Sequence, residues 1–276
     1  MTENLPTANA RLAALRAATP ARIFLPSAGA AVATTANLNF QLAHAEARDA
    51  VEDRLDAEAL ADGLGARGLQ VLRVESCALN RRVYLMRPDL GRRLTEIARA
   101  RLLPFAGDYD LVFVIADGLS ARAVAAHAAP LLIAVLPALD AEGWRIGPVV
   151  IISQGRVAIG DEVGEQLGAK LVAVLIGERP GLSSPDSLGV YLTFAPRIGR
   201  TDAERNCLSN IRREGMSYAE AAARLVYLAS EARRRNASGV ELKDESAFAV
   251  SPALPQAEKD DLASRPRSAK SASSQP

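Results

Sequence analysis

The sequence predicts an α/β fold with a doubly wound, mostly parallel sheet and helices on both faces. Short apolar runs rich in β-branched residues alternate with helical segments, which is typical of parallel strands joined by crossover helices. Several runs, such as residues 112–116 and 171–176, are apolar throughout. Strands that helices cover on both sides have this pattern.

The N-terminal part is predicted to be helical. A short helix is expected over residues 7–18, followed by a strand over residues 22–26. Apolar residues spaced by three and four predict a helix over residues 37–55, and another is expected over residues 56–64. The first helix is also a candidate arm for docking a partner.

The regular part of the chain contains five predicted strands. They cover residues 69–74, 111–116, 148–153, 171–176 and 189–194, and the last is expected to close or edge the sheet.

Three helices are predicted between and after these strands. A helix is expected to begin at Arg87, with Pro88 in its first turn, and Ser120 is expected to cap a long helix that ends near Gly143. An Ala-rich helix with a basic last turn is predicted over residues 217–236.

These elements predict three regions. Residues 1–66 form a helical region that includes the docking arm, and residues 67–242 form the doubly wound domain. Residues 243–276 contain too little apolar material to offset the entropy of ordering, so they are predicted to be a disordered tail.

Composition excludes several classes of function. The 276 residues include 33 basic and 32 acidic side chains, and a net charge of +1 argues against nucleic acid as a partner. The start of the chain lacks a basic segment leading into an apolar run, and charged or turn residues interrupt the apolar stretches, so a cytoplasmic protein that crosses no membrane is expected. Two histidines and two separated cysteines do not supply an ordinary zinc site.

One glycine motif formally matches a dinucleotide-binding fingerprint. Residues 63–68 read Gly-Leu-Gly-Ala-Arg-Gly. A helix precedes these glycines and a strand follows them, whereas the fingerprint needs the opposite order. The glycines are therefore predicted to end a helix.

The candidate binding segments follow the predicted strands, because ligands of open α/β sheets bind beyond the carboxyl ends of the strands. These segments are residues 117–120, 154–157 and 177–181, and each contains a glycine. Each alone is more simply a turn, but their recurrence favours one shared pocket. A fourth segment, residues 200–210, surrounds Cys207 with polar residues, although a small buried hydrophobe is the plainer reading of this cysteine.

Four segments together resemble a known family. They are Tyr-Leu-Met-Arg-Pro-Asp-Leu-Gly-Arg-Arg-Leu at residues 84–94, Asp-Gly-Leu-Ser at 117–120, Gly-Glu-Arg-Pro-Gly-Leu at 177–182 and Asn-Cys-Leu-Ser-Asn-Ile at 206–211. In this order and spacing they resemble the small subunit of ethanolamine ammonia-lyase, over about residues 10–242.

The resemblance implies a function and three contact residues. In that family the small subunit and a large subunit hold adenosylcobalamin between them, with its own base on cobalt, and a hexamer of heterodimers converts ethanolamine to acetaldehyde and ammonia. By position, the implied cofactor contacts are Val157, Glu178 and Cys207, within the doubly wound domain. No catalytic residue is assigned to this chain, because the resemblance implies that the large subunit binds the substrate.

The chain departs from the family in two places. The family usually has a Gly-Arg-x-Gly loop where residues 26–29 read Pro-Ser-Ala-Gly, so a contact through that arginine is expected to be missing. Some relatives carry a long N-terminal extension linked to a bacterial microcompartment, and here little precedes the first helix. Two alternatives remain: an independent α/β enzyme that uses a nucleotide or methyl donor, and a cofactor-free scaffold.

Overall fold

The computed structural model describes residues 8–19 and 21–246. One compact unit ends at Lys243, and the described residues beyond it are 244–246. Most of the predicted disordered tail, from residue 247 onward, lies outside the described residues. The proposed boundaries at residues 66 and 242 remain predictions.

Helices and strands alternate along the described chain. The helices are α1 (Ala8–Ala17), α2 (Thr34–Glu52), α3 (Ala57–Gly65), α4 (Arg81–Met86), α5 (Glu96–Leu102), α6 (Ala121–Ala141), α7 (Ile159–Leu167) and α8 (Tyr218–Arg235). The strands are β1 (Ser27–Ala28), β2 (Ala31–Val32), β3 (Val71–Glu75), β4 (Tyr109–Ala116), β5 (Val149–Ser153), β6 (Ala169–Gly177), β7 (Leu188–Phe194) and β8 (Arg205–Ile211).

Six of the strands form the central sheet, in the order β3-β5-β4-β6-β7-β8. The first four in this order are parallel, whereas β7 and β8 are antiparallel to their neighbours. Crossover segments containing α4 and α5, α6, and α7 join the parallel strands. The predicted fold class is therefore confirmed, and the parallel strands all end at one edge of the sheet.

Hydrophobic cores lie on both faces of the sheet. On the first face, α3, α6 and α8 pack on alternate strand residues such as Phe113 and Leu208. On the second face, α5 and α7 pack on the intervening residues, such as Val114 and Val174. The second face of β7 and β8 lies beside α7, and its Cys207 and Ser209 are exposed. We call this part of the sheet the open face; it comprises Gly189, Tyr191, Cys207 and Ser209.

The N-terminal helices were predicted within a few residues, but the strand over residues 22–26 was wrong. These residues are irregular, and a two-residue turn instead joins β1 to β2. Gly29 adopts a φ of 62°, which favours glycine in such a turn. Pro26 has no backbone N–H to donate to a strand ladder, which accounts for the absence of a strand at that point.

The helix predicted to begin at Arg87 was also wrong. Arg87 follows the end of α4, a 3-10 turn covers Leu90–Arg92, and α5 begins only after Thr95, whose side chain caps it. A residue that precedes a proline avoids the helical conformation, so Pro88 marks the end of one helix rather than the start of another. The predicted cap of α6 is confirmed, because the Ser120 hydroxyl accepts a hydrogen bond from the Ala123 N–H.

The sequence did not predict β8, which forms the edge of the sheet. The strand predicted to close or edge the sheet is β7, and it lies between β6 and β8 instead. Only Leu208 and Ile211 of β8 are apolar residues packed in the core, so the strand has no continuous apolar run.

Helix α6 is the only one in the described chain that is long and apolar enough to span a membrane, by length and composition. It packs against the sheet and α8 through core residues that include Val124, Leu131 and Leu139. A buried core helix passes the same test, and the expectation that the chain crosses no membrane remains a prediction.

Candidate functional site

The candidate segments meet at the carboxyl edge of the sheet. The loops after β4 and β6 pack against each other through two glycines: a Cβ on Gly118 would lie 2.4 Å from the carbonyl oxygen of Gly177, and one on Gly177 would lie 2.0 Å from that of Ser120. The loop after β5 joins them through Asp117, whose carboxylate accepts hydrogen bonds from the N–H groups of Gln154 (2.9 Å) and Gly155 (3.1 Å). The three loops therefore form one continuous surface.

Glu178 is held rigidly at the top of the open face. Its carboxylate accepts hydrogen bonds from the Ser187 and Ser209 hydroxyls, both at 2.5 Å, and from the Asn210 N–H at 3.2 Å. A Cβ on Gly189 would lie 2.9 Å from its Oε1 atom, so the carboxylate rests directly over this glycine. Two carboxylate oxygens can accept about four hydrogen bonds, so Glu178 keeps capacity for an external donor.

An irregularity in β8 supplies two of these donors. Leu188 pairs with Ile211, but Val190 pairs with Leu208, so β8 carries an extra residue at this point. Asn210 has a φ of 60°, a conformation that asparagine tolerates better than most residues. This β-bulge turns Ser209 and the Asn210 N–H toward Glu178, as bulges near functional sites often do.

Cys207 lies on the open face, directly opposite Tyr191 in the strand register. Partial burial raises the pKa of the Cys207 thiol; the Tyr191 hydroxyl lowers it and the charge of Glu178 raises it. Burial likewise raises the pKa of Tyr191. Both groups are therefore neutral near pH 7, and Cys207 offers a thiol rather than the thiolate that binds metals.

Val157 lies in the loop that leads from β5 into α7, on the same side of the sheet as the open face. Its side chain is half-buried, and both Val157 and Tyr191 pack against the core of the second face. The preceding residue, Arg156, fixes this loop: its N–H donates to the Gly91 carbonyl, and its guanidinium lies 4.0 Å from the centre of the Tyr84 ring. Burial raises the pKa of Tyr84 to about 12, so its hydroxyl stays protonated. The face of the neutral ring attracts the Arg156 guanidinium in a cation–π contact.

The structure thus brings the three predicted contact residues to one side of the sheet, near its carboxyl edge. Cys207 is part of the open face, Glu178 borders it, and Val157 leads into the helix beside it. Sequence reasoning missed Ser187 and Gly189, which help to position Glu178. The Asn-Cys-Leu-Ser-Asn segment was singled out, but its bulge has no sequence signal without the partner strand.

The two histidines lie away from this site. His44 is exposed on α2, and the Nδ1 atom of His127 is 2.7 Å from the Tyr218 hydroxyl on the first face of the sheet. Among the described residues, no group of three or more histidine, cysteine or acidic side chains is placed to hold a metal ion.

The chain is similar to known proteins over most of its length. The family model described as Ethanolamine ammonia-lyase light chain (EutC) matches residues 9–243. The ethanolamine ammonia-lyase small subunit of Azotobacter vinelandii is 58% identical over 239 residues, which cover 85% of this chain and 88% of that protein. The small subunit of Pseudomonas aeruginosa is 56% identical over 236 residues, or 84% of this chain and 86% of that protein. The small subunit of Xanthomonas campestris is 57% identical over 238 residues, or 85% of this chain and 88% of that protein.

Proposed function

The chain belongs to the ethanolamine ammonia-lyase light chain family, and from this premise we propose that its carboxyl edge and open face hold adenosylcobalamin against a large subunit. The chain is the small subunit of an ammonia-lyase that converts ethanolamine to acetaldehyde and ammonia by radical chemistry. The proposal concerns which of its residues contact the cofactor and how.

The observation that carries the proposal is the position of Glu178. A carboxylate held by two hydroxyls and a backbone N–H cannot easily rotate away, so its remaining acceptor capacity points in a fixed direction. The periphery of cobalamin bears carboxamide groups, and their N–H donors suit such an acceptor. The residues present therefore fit the group.

The other two proposed contacts, Val157 and Cys207, present neutral side chains to the cofactor rather than a charge. Val157 presents an aliphatic side chain at the start of α7, suited to the apolar edge of a macrocycle. Cys207 presents a small neutral side chain on a strand, where it allows close approach. Because the pKa of its thiol is raised, Cys207 is not proposed as a ligand of cobalt.

The bound cofactor supplies the carbon-centred radical chemistry, and the protein supplies position and electrostatics. In this chain Glu178 orients the cofactor by accepting hydrogen bonds, while Val157 and the open face exclude water from one side of it. No residue of this chain is proposed to move a substrate proton, which agrees with a catalytic large subunit.

A second surface suits the partner. The α2 side chains Leu38, Phe40 and Leu42 are all more than 40% exposed, and Phe24 and Val32 are more than half exposed. Large apolar side chains exposed along one short stretch of chain can mark an interaction site. We propose that this helical region docks on the large subunit, in an assembly that family membership suggests is a hexamer of heterodimers.

The test is to express the chain with its large subunit, add adenosylcobalamin, and measure both the corrinoid absorbance that comigrates with protein and acetaldehyde formation. Val157→Glu is expected to abolish corrinoid retention, because it introduces a charge onto an apolar contact. The matched control is Val226→Glu, which makes the same change at a half-buried valine on α8. It is expected to leave corrinoid retention unchanged in a correctly assembled complex.

A well-folded wild-type complex that retained no corrinoid would contradict the proposal. If the Val157→Glu complex retained corrinoid as well as the wild type, the chain would be a scaffold, and the cofactor would be held by the partner alone.

A further inference from the structure

A buried histidine outside the proposed cofactor contacts links two helices to the loop that carries Glu178. His127 lies in the second turn of α6 and is only 6% exposed. Its Nδ1 atom is 2.7 Å from the hydroxyl of Tyr218, the first residue of α8, and its Nε2 atom is 3.5 Å from Oδ2 of Asp186. Asp186 lies in the loop between β6 and β7, and Glu178 is the first residue of this loop.

The partners of His127 determine which of its nitrogens carries a proton. An ionised carboxylate only accepts hydrogen bonds, so the Nε2 atom, which faces Asp186, carries a proton. Burial and the charge of Asp186 raise the pKa of Tyr218, so the Tyr218 hydroxyl stays protonated and can donate to Nδ1. A neutral His127 therefore accepts a proton from α8 in a hydrogen bond and presents its own N–H to the loop.

The contact with Asp186 is longer than an ordinary hydrogen bond, but the burial of the imidazole favours it. Within the part of the chain that the structure describes, the Nε2 atom of His127 has no hydrogen-bond partner. Movement of Asp186 away from α6 would leave this buried N–H without a nearby acceptor, which is unfavourable. The imidazole therefore holds the loop toward α6 at this position.

The residues on either side of Asp186 connect α6 to Glu178. The Pro185 carbonyl accepts a hydrogen bond of 2.8 Å from the hydroxyl of Ser120, which caps α6. Ser187 bonds Glu178 twice: its carbonyl accepts from the Glu178 N–H at 2.9 Å, and its hydroxyl donates to the Glu178 carboxylate at 2.5 Å. The first two turns of α6 therefore anchor the segment that holds Glu178.

We propose that His127 is a positioning residue for cofactor binding. Through its contact with Asp186 it keeps Ser187 in place, and Ser187 in turn keeps the Glu178 carboxylate directed at the corrinoid. The inference rests on the proposed function, because Glu178 is the proposed contact. It gives a side chain on the first face of the sheet a role in a site on the second face.

Two amide substitutions of His127 separate its two contacts. In His127→Gln the amide nitrogen can take the position of Nε2 and still donate to Asp186. In His127→Asn the shorter amide reaches only the position of Nδ1, so it keeps the contact with Tyr218 and loses that with Asp186. Both variants remove the ring from the core and lose packing, so a lower thermal midpoint does not distinguish them.

Two further variants test each partner of His127. Asp186→Ala removes the contact from the side of the loop, and because the Asp186 side chain is 32% exposed, the core keeps its packing. This variant keeps the inference testable if His127→Asn fails to fold. Tyr218→Phe removes the other hydrogen bond of His127 and serves as the control, since it leaves the contact with Asp186 in place.

Two quantities are measured in the complex with the large subunit. The first is the dissociation constant of adenosylcobalamin, from the corrinoid absorbance that comigrates with protein. The second is the rate of amide hydrogen exchange, without corrinoid, in peptides that cover residues 178–188. Exchange reports the opening of the hydrogen bond from the Glu178 N–H to the Ser187 carbonyl and needs no cofactor.

His127→Asn and Asp186→Ala are expected to speed this exchange and to weaken adenosylcobalamin binding by about five- to tenfold, the effect of one hydrogen bond. His127→Gln and Tyr218→Phe are expected to keep both quantities near their wild-type values. Equal effects of the two amide variants, faster exchange without weaker binding, or no change in His127→Asn and Asp186→Ala would overturn the inference. A wild-type complex that bound no corrinoid would instead refute the proposed function, and exchange would still decide whether His127 holds the loop of Glu178.

Discussion

The Glu178 carboxylate occupies the space that a side chain at Gly189 would fill, because a Cβ there would lie 2.9 Å from Oε1. A carboxylate at the end of a flexible side chain can move aside, so Gly189→Ala is expected to displace Glu178 rather than to unfold the protein. Displacing the carboxylate breaks some of its hydrogen bonds to Ser187, Ser209 and Asn210, so we predict about tenfold weaker retention of adenosylcobalamin by the complex and a thermal midpoint lower by a few degrees.

The control for this substitution is Gly65→Ala, since a Cβ at the end of α3 meets nothing within 4 Å. This change is expected to leave cofactor retention unchanged and to stabilise the fold by a few tenths of a kcal/mol to about 1 kcal/mol. Equal retention in both variants would show that the position of Glu178 does not matter.

Cys207→Ser is predicted to leave the absorption spectrum of the bound corrinoid unchanged. The pKa of the Cys207 thiol is raised, chiefly by burial, so the group stays protonated and does not act as a thiolate ligand. Cys207→Arg, which fills the open face, is expected to reduce corrinoid retention instead. A spectral shift in Cys207→Ser would indicate that the sulfur coordinates cobalt after all.

The buried ion pair between Arg205 and Asp161 is predicted to make a large contribution to the stability of the fold. Arg205 on β8 binds the carboxylate of Asp161 on α7 through two contacts, 2.6 and 2.7 Å long, and both side chains are almost fully buried. Asp161→Ala leaves the buried arginine charge with only the exposed Asp202 as an ionic partner, so unfolding in urea is expected to show a loss of about 3–5 kcal/mol.

Glu220→Ala is the comparison for that measurement, because it breaks a partly exposed pair with Arg224 on α8. Its expected effect is below about 1 kcal/mol. A similar loss in both variants would mean that burial does not set the contribution of the Arg205 pair.

Stability is predicted to decrease in acid through Asp110. Burial raises the pKa of this carboxyl, but hydrogen bonds from Arg145 and Lys170 outweigh it and hold the pKa below its usual value. A carboxylate whose pKa is lower in the folded than in the unfolded chain stabilises the fold above the unfolded pKa, and this contribution is lost as pH falls through the folded value.

The free energy of unfolding should therefore fall as the pH drops below about 4, and Asp110→Asn should lessen the fall. Titration of unfolding midpoints between neutral and strongly acidic pH measures both. Parallel pH profiles for the two proteins would refute this role of Asp110.

The sequence predicted the parallel strands well because three of the four, β4, β5 and β6, contain continuous apolar runs between turn signals. It failed where structure depends on distant partners. Only Leu208 and Ile211 of β8 are apolar core residues, and its bulge at Ser209 and Asn210 exists only relative to β7. Local patterns also misled: Pro88 ends α4 rather than beginning a helix, and residues 22–26 form no strand.

The candidate site was also predictable only where local sequence signals mark it. Glycines after successive strands indicated where the loops lie, and the family resemblance selected Val157, Glu178 and Cys207. The residues that hold Glu178 come together only in the folded chain. A single sequence carries no record of such long-range contacts.

Neighbouring residues of β8 point to opposite faces of the sheet, so they are subject to different selective pressures. Leu208 faces the core of the first face, whereas its neighbour Cys207 faces outward beside the proposed cofactor surface. Substitutions at the exposed Cys207 can tune ligand affinity while Leu208 preserves the fold. One strand can therefore diverge in recognition among relatives without loss of stability.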